Sequence, residues 1–251
     1  MSTPVVSPEI DKAIRPQPKQ WQADFTLGLR RGLPIALGYI PVSFTFGLVA
    51  VRGGLPAWIA IFISLTNLTS AGQFAGTSLI IAGATLFEIT ITTLVINLRY
   101  LLMSLSLSQR LSPLLPLAQR AVMAFGITDE TFSVASLEAQ EITFPYMLGL
   151  ISGPYCGWGL GTALGALICS VLPGQLQEAL GITLYAMFIA LLVPNAKRSR
   201  AALVVALVAI GISSCFAWLP ALHQISDGWG IIVATVTACL VGAAFFPRKD
   251  V

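Results

Sequence analysis

Charge is what this sequence has least of. Asp, Glu, Lys and Arg make up 10% of its 251 residues, while hydrophobic residues make up 56%. A soluble domain carries about 25% charged residues, so the composition excludes a soluble enzyme or a soluble binding module. The net charge of +3 says little about partners. We expect the lipid bilayer to surround the protein, and we expect no nucleic acid as a partner.

Side chains that bind metals or act as nucleophiles are also scarce. The chain has one histidine, His223, and four cysteines that all lie in apolar runs without CxxC spacing. A metal site has almost nothing to be built from, so we expect no metal and no cofactor. A membrane hydrolase would need a nucleophile and a base, and no GxSxG motif or intramembrane aspartate pair from separate helices is present. We therefore expect that the protein is not an enzyme.

Long runs without a charged side chain are what the sequence does have. A helix needs about 20 apolar residues to cross a bilayer, whereas the strands of a membrane barrel would alternate over about 10 residues, which this sequence does not do. The sequence predicts an all-α integral membrane protein, a polytopic bundle of seven or eight transmembrane helices with broken or re-entrant segments. The uncharged runs are residues 33–51, 53–87, 142–177, 179–196, 201–226 and 228–247.

The basic residues suggest an orientation. Residues 1–32 are polar, basic and rich in proline, and we interpret them as a cytosolic N-terminal tail before a single transmembrane transporter domain, residues 33–251. Basic residues mark cytoplasmic flanks, so we expect a multi-pass protein with a cytosolic N-terminus. Eight simple crossings would place Arg110 and Arg120 outside, against this rule. Either the rule is weak here or one segment does not cross fully.

Two apolar segments carry signs of interruption. As one helix, residues 53–87 would be about 52 Å long, against a hydrocarbon core of about 30 Å, so the run must break. The break is predicted at "TSAGQFAG", residues 69–76, where small residues permit irregular backbone. "LPIALGYIPVSFTFG", residues 33–47, holds two prolines and two glycines, which indicate either a second interruption or ordinary kinking and close packing. Interrupted segments with polar groups are typical of transport sites.

Arg99 lies at the centre of a predicted helix over residues 89–109. An arginine at mid-depth costs about 3 kcal/mol or more, so Arg99 needs an acid, carbonyl groups or a ligand. Thr92 and Ser106 share its face of the helix. Asn97 lies about 160° away by helical count, so Asn97 and Arg99 cannot both line one cavity if the helix is regular.

The stretch "FGITDETF", residues 125–132, places two acids in apolar surroundings. A break at Gly126, with Thr128 as the N-cap, would start a half-helix with both acids in its first turn, where the helix dipole stabilises them. Either both acids stabilise this helix end beside Arg99, or one pairs with Arg99 and the other binds a substrate ammonium group or carries a proton. Adjacent helical residues point about 100° apart, so we expect Asp129 to be the structural acid and Glu130 the functional one.

Four stretches in order, "GYIPVSFTFGL", "AGQF", "INLRYLLMSLSL" and "FGITDETF", resemble the AzlC family of branched-chain amino acid permeases. They cover the first half of the chain, and the second half matches only in length, hydropathy and glycine content. One departure is visible, because the family often has Arg-His where this chain has Arg99-Tyr100. If that histidine takes part in proton traffic elsewhere, this protein must use another group.

The resemblance implies an exporter of valine, leucine, isoleucine, methionine or similar small neutral amino acids in the bacterial cytoplasmic (inner) membrane. It also implies coupling to the proton gradient and a small partner membrane protein of the AzlD/YgaH type. The alternative is a channel or a scaffold subunit of a membrane complex that is not itself proton-coupled.

The residues agree with this substrate class, because an amino acid needs a cation for its carboxylate and an acid for its ammonium group. Phe74 or Phe132 could shape the aliphatic pocket, and an unwound "SAGQ" backbone could add groups to the carboxylate. We expect proton coupling at Asp129 and Glu130. The predicted substrate-binding residues are Tyr39, Gly72, Gln73, Phe74, Asn97, Arg99, Thr128 and Glu130.

Overall fold

The computed structural model describes residues 18–138, 141–169, 199–219 and 227–246, with isolated positions between 173 and 197 and at 225. These parts of the chain form helices without a strand, which confirms the all-α class. In chain order the helices are α1 (Pro18–Arg52), α2 (Ala57–Thr66), α3 (Ser70–Ile81), α4 (Leu86–Ser108), α5 (Leu117–Phe125), α6 (Asp129–Ser136), α7 (Phe144–Ile168), α8 (Arg200–Trp218) and α9 (Asp227–Phe245).

The helices fall into two length classes. Helices α1, α4, α8 and α9 are long and apolar enough to cross a membrane. Helix α7, with 25 residues, is about 37 Å long and is also long enough. Helices α2, α3, α5 and α6 have 8 to 12 residues, or about 12–18 Å, roughly half a bilayer core. The expected membrane bundle with broken segments is thus confirmed, while most of the span predicted at 179–196, and His223, lie outside the described residues.

Helices α1 and α7 run parallel in close backbone contact. Gly28 contacts the first turns of α7, and Gly47 contacts Thr162 and Ala166 near its end. At Gly157, a Cβ atom would lie 2.7 Å from the carbonyl oxygen of Ala36, so the two backbones meet. The glycines of α7 that face α1 recur every four residues, a spacing that lets membrane helices approach closely. We call this contact the glycine seam; its α7 members are Gly149, Gly153, Gly157, Gly161 and Gly165.

The structure decides between the two alternatives for residues 33–47. Helix α1 is continuous through Pro34 and Pro41, so the second interruption is excluded and the alternative of kinking and close packing holds. Packing on α7 along the glycine seam holds the helix together across both prolines. Helix α1 begins at Pro18, within residues 1–32 that we interpreted as a tail, and the cytosolic location of that segment stays a prediction. Residues 18–32 are helical because their glycine face already packs on α7 and Asp24 accepts a hydrogen bond from Thr143 at 2.9 Å.

The glycine seam yields a stability prediction with a control in the same helix. Gly157→Ala places a methyl group 2.7 Å from a backbone oxygen, so we expect a loss of about 1–3 kcal/mol, as for other overpacked sites. Gly153→Ala meets nothing closer than 3.6 Å and should be neutral or stabilising, because alanine favours helices. The melting temperature and monodisperse yield on size-exclusion chromatography measure both. Equal stability of the two variants would contradict backbone contact at Gly157.

Helices α2 and α3 form a hairpin that enters and leaves the bundle at the same end. Ile81, at the end of α3, lies against Gly53, just after α1. Leu65, near the end of α2, instead accepts a hydrogen bond from Tyr155 at 2.9 Å, and Tyr155 lies near the middle of α7. The first hairpin therefore runs from the end marked by Arg52 to mid-depth and returns.

Helices α5 and α6 form a second hairpin that enters from the opposite end. Arg110 lies two residues after the end of α4. It donates to the backbone carbonyls of Ser136, the last residue of α6, at 2.7 Å, and of Glu138, just beyond α6. The carboxylate of Glu138 also pairs with Arg31 of α1 at 2.6 Å. Arg120, in α5, donates to carbonyls of the loop between α4 and α5. Arg31, Arg110 and Arg120 therefore lie at one end of the bundle, which we call the arginine end.

The hairpins answer the question that the sequence left open about Arg110 and Arg120. Neither broken segment crosses the bundle, so α4 returns to the end from which α1 starts. Both arginines consequently share an end with Arg31, and the conflict with the distribution of basic residues disappears.

The two hairpins are alike in sequence and shape. Each first arm follows a proline, Pro56 or Pro116, with nearly the same backbone angles (φ −57° in both, ψ 141° and 146°). The first arms have 10 residues in the first hairpin and 9 in the second. Each tip is a three-residue break in which a buried aliphatic residue is followed by a threonine with extended backbone. Because they enter from opposite ends, α1–α3 and α4–α6 form an inverted repeat. The tips are Asn67, Leu68 and Thr69, and Gly126, Ile127 and Thr128.

The break in the first hairpin overlaps the predicted stretch, residues 69–76, only at Thr69. It occupies residues 67–69, whereas the "SAGQ" stretch is the first turn of α3, so the expected unwinding there is wrong. The Asn67 side chain explains the break, because its Oδ1 accepts hydrogen bonds from the backbone and hydroxyl of Thr69 at 3.2 and 2.5 Å. The small residues serve close packing instead, with Gly72 against Asn97 of α4.

Candidate functional site

The tip of the second hairpin is built by a threonine cap. The Thr128 hydroxyl accepts a hydrogen bond from the backbone N–H of Thr131, and the Thr131 hydroxyl accepts one from the backbone N–H of Thr128, at 3.3 and 2.8 Å. This reciprocal pair is a capping box, which satisfies two donors that a helix start leaves free. The predicted break at Gly126, the Thr128 cap and the placement of both acids in the first turn of α6 are confirmed.

Arg99 and Asp129 form an ion pair between α4 and this tip. Arg99 Nη1 lies 2.9 Å from Asp129 Oδ2, so the expected pairing of Arg99 with one of the acids is confirmed. The two side chains remain 40% and 33% exposed. Arg99 also donates to the Tyr100 hydroxyl at 3.2 Å, and its guanidinium lies 5.0 Å from the centre of that ring.

The Arg99 guanidinium has hydrogen-bonding capacity to spare. Its Nε is buried and has no hydrogen-bond partner within the part of the chain that the structure describes. An unpaired buried donor costs free energy, so the site favours a further acceptor at this guanidinium. A carboxylate is the acceptor that matches the geometry of a guanidinium best.

Glu130 points to a different helix from Asp129. The Tyr39 hydroxyl of α1 donates to Glu130 Oε2 at 2.5 Å and lies 2.8 Å from the Thr128 hydroxyl. The two acids thus have different partners, as the 100° separation predicts, while their functional roles remain predictions. Tyr39, Arg99, Thr128, Asp129 and Glu130 form one cluster at the tip of the second hairpin.

The other predicted site residues lie in a buried group around the first hairpin. Gln73 is 2% exposed, and its amide donates to Ser64 of α2 and accepts from Trp158 of α7, at 2.7 and 3.2 Å. Ser64 also lies 2.7 Å from the Thr162 hydroxyl. The Gln73 side chain therefore ties both arms of the first hairpin to α7, and its amide already has partners.

Phe74 and Asn97 complete this second group. Phe74 packs edge to face on Phe46 at 5.2 Å, whereas Phe132 packs with a different apolar cluster, so the two predicted pocket residues lie apart. Asn97 packs on Gly72 of α3, while Arg99 of the same regular helix meets α6. The expectation that Asn97 and Arg99 do not line the same face is confirmed.

Trp158, which sequence reasoning passed over, joins the two groups. Its indole N–H binds Gln73, and its ring meets the Tyr39 ring at 5.0 Å with 76° between the planes. It sits in a long apolar run that offers no polar signal. The four-residue spacing of glycines around it was the available clue, because it marks the face of α7 that meets α1.

Glu88 is a second residue that sequence reasoning missed. It is the single acid between Asp24 and Asp129 in the sequence. It is buried in the first turn of α4, where Thr85 caps its backbone N–H. Its Oε1 accepts a hydrogen bond from Gly228 N at 3.2 Å, which fixes the start of α9 against α4 at the end opposite the arginine end.

Comparisons with known proteins identify membrane proteins as relatives of this chain. The chain is 33% identical over 211 residues to the inner membrane protein YgaZ of Escherichia coli K12, covering 79% of this chain and 86% of that protein. It is 37% identical over 177 residues to an uncharacterized membrane protein of Archaeoglobus fulgidus, covering 70% and 77%. It is 28% identical over 222 residues to an uncharacterized membrane protein of Helicobacter pylori strain 26695, covering 85% and 84%. No solved structure matches the chain.

The family model described as AzlC protein matches residues 34–172. This region runs from α1 through the start of the segment after α7, so it contains both hairpins, the Arg99–Asp129 pair and most of the glycine seam. The chain therefore belongs to the AzlC family of membrane proteins.

Proposed function

We propose that the protein is a secondary transporter that exports valine, leucine, isoleucine, methionine or similar small neutral amino acids and is driven by the proton gradient. The observation that carries the proposal is the half-exposed Arg99–Asp129 pair at the tip of a broken hairpin. Inverted repeats with broken helices that meet near mid-depth are typical of secondary transporters, and binding sites lie where the broken helices meet.

The chemistry of the cluster fits an amino acid zwitterion. Arg99 has an unpaired donor, Nε, for the carboxylate, and Glu130 offers oxygens for the ammonium group. A neutral amino acid brings both charges together, so it can enter without leaving an unpaired ion in the membrane. Aliphatic and aromatic side chains surround the cluster, as a branched aliphatic substrate requires.

Glu130 is the group that we assign to proton coupling. As a carboxylate it only accepts hydrogen bonds, and the Tyr39 hydroxyl supplies one. Protonation gives it a hydrogen to donate and removes its charge, so its partners must rearrange. Such a change can link proton movement to substrate release.

The exposure of Arg99 and Asp129 also supports a partner subunit. A charged pair at this depth that faces lipid is unfavourable. We propose that a small membrane protein of the AzlD/YgaH type covers this side of the bundle. We further propose that the protein lies in the inner membrane with the arginine end on the cytosolic side, since basic residues mark cytoplasmic flanks. In this orientation the N-terminus is cytosolic.

Counterflow of labelled branched-chain amino acids into proteoliposomes tests the function. We expect uptake against unlabelled internal substrate, stimulation by a pH gradient, and loss of activity without the small partner, with which the protein should co-purify. Flux that does not depend on the pH gradient would indicate a channel. Absence of substrate binding, both with and without the partner, would indicate a scaffold. Full export by this chain alone, in a host lacking homologues, would contradict the need for a partner.

A further inference from the structure

A continuous path of side chains joins the tips of the two hairpins. It starts at Glu130 and Thr128, which contact the Tyr39 hydroxyl, and passes from the Tyr39 ring to the Trp158 ring. From Trp158 it continues through the indole N–H to Gln73 and then to Ser64, which belong to the two arms of the first hairpin. Each step is a hydrogen bond or an aromatic contact.

The members of the path are buried and hydrogen-bonded. Tyr39, Trp158, Gln73 and Ser64 are all buried, and each has its polar atoms engaged in the path. Buried hydrogen-bonded networks of this kind admit few arrangements, because any member that moves leaves a partner unsatisfied. A displacement of the Tyr39 ring therefore acts on Trp158, whose hydrogen bond leads to Gln73.

We propose that Trp158 is a positioning residue that transmits the charge state of Glu130, through Tyr39 and Gln73, to the arms of the first hairpin. The inference rests on the proposed function, which assigns proton coupling to Glu130, and it adds how one hairpin senses the other. The hydrogen bond and the ring contact of Trp158 are with Gln73 and Tyr39, not with Glu130 or the ion pair. Trp158 acts through the two side chains that it holds in place.

The transmission follows from what surrounds Glu130. The titratable groups that interact with it are Tyr39 from α1, Tyr100 from α4 and Asp129 beside it on α6, and Asp129 is itself paired with Arg99. Charge-assisted hydrogen bonds are about twice as strong as neutral ones, so neutralising Glu130 loosens the Tyr39 hydroxyl. The Tyr39 ring can then shift against Trp158, and the Trp158–Gln73 hydrogen bond that ties the first hairpin to α7 weakens.

Hydrogen–deuterium exchange on the purified full-length protein tests this without any substrate. Glu130→Gln, which mimics the neutral acid, should speed exchange in residues 64–73 about fivefold, the effect of losing roughly one hydrogen bond at the distant hairpin. In a Trp158→Phe background, which keeps a ring beside Tyr39 but removes the indole N–H, residues 64–73 should already exchange faster. Adding Glu130→Gln to that background should change them no further.

Tyr155→Phe is the matched control, because it removes one hydrogen bond between the same helix and the same hairpin, from Tyr155 to Leu65. The effect of Glu130→Gln on residues 64–73 should persist in it. If Trp158→Phe does not fold, Tyr39→Phe breaks the path at its other end and should likewise abolish the transmitted effect. The proposal is overturned if Glu130→Gln alters exchange only within residues 125–137, or if its distant effect survives Trp158→Phe or Tyr39→Phe.

Transport measurements separate this proposal from the proposed function. If the protein exports amino acids, Trp158→Phe should still swap labelled for unlabelled substrate across the membrane. The ratio of gradient-driven export to this substrate swapping should fall about tenfold, the size of one typical coupling interaction. An unchanged ratio would overturn the proposal even when transport is intact. If no branched-chain amino acid is transported but the hydrogen–deuterium exchange results are as expected, the proposed function fails and the link between the hairpins stands.

Discussion

Arg99→Lys will lower export about ten- to hundredfold in a protein that still inserts and purifies. Hydrogen bonds to charged groups contribute about 1.5–3 kcal/mol, and lysine keeps the charge but not the fork that binds a carboxylate through two donors. In the structure the guanidinium pairs with Asp129 and donates to Tyr100, and its Nε still has no acceptor. One ammonium group cannot replace all of these at once.

The measurement is initial export rate against substrate concentration in proteoliposomes with matched protein content. Arg52→Lys is the control, because Arg52 ends α1 at the opposite end of the bundle and is exposed. It should transport like the wild type. Wild-type flux in a well-expressed Arg99→Lys variant would rule out carboxylate recognition by Arg99.

Glu130→Gln and Asp129→Asn will have different consequences although the residues are adjacent. Glu130→Gln should leave the yield unchanged and abolish uphill export, because the amide cannot carry a proton, and exchange should survive. Asp129→Asn should lower the folded yield more than the activity per molecule. It leaves Arg99 without its anionic partner, and the loss of one partner of an ion pair away from water is strongly destabilising.

Fluorescence-detected chromatography gives the yields, and flux with and without a pH gradient gives the coupling. Concentrative export by Glu130→Gln would show that the proton travels by another group. Exchanged phenotypes would mean that the geometry of the half-helix holds and the roles of the two acids are reversed.

The parts of this site that the sequence could predict are those determined locally. The Thr128 cap, the break at Gly126 and the two acids in the first turn follow from neighbouring residues and helix chemistry. The pairing of Arg99 with an acid follows from the high free energy of an isolated charge in a membrane. These features need no knowledge of which helices are neighbours.

The parts that the sequence could not predict depend on distant contacts. The direction of each hairpin is fixed by Arg110 reaching Glu138 and by Ile81 reaching Gly53, and neither contact leaves a periodic signal. The break at residues 67–69 was predicted too far along the chain because small residues indicate close packing as well as unwinding. Residues 18–32 were interpreted as a tail because their polar composition hides the glycine face that packs on α7.

The glycine seam also has a consequence for biogenesis. Gly32 of α1 meets Leu150 and Pro154 of α7, so the two faces are separated by more than a hundred residues of chain. At a synthesis rate of about 5–20 residues per second, roughly 6–24 seconds pass between the emergence of the first face and that of the second. During this interval α1 has its small-residue face unpaired in the membrane. The nascent chain must therefore be shielded by lipid or by the insertion machinery, and the seam can close only after both hairpins have been synthesised.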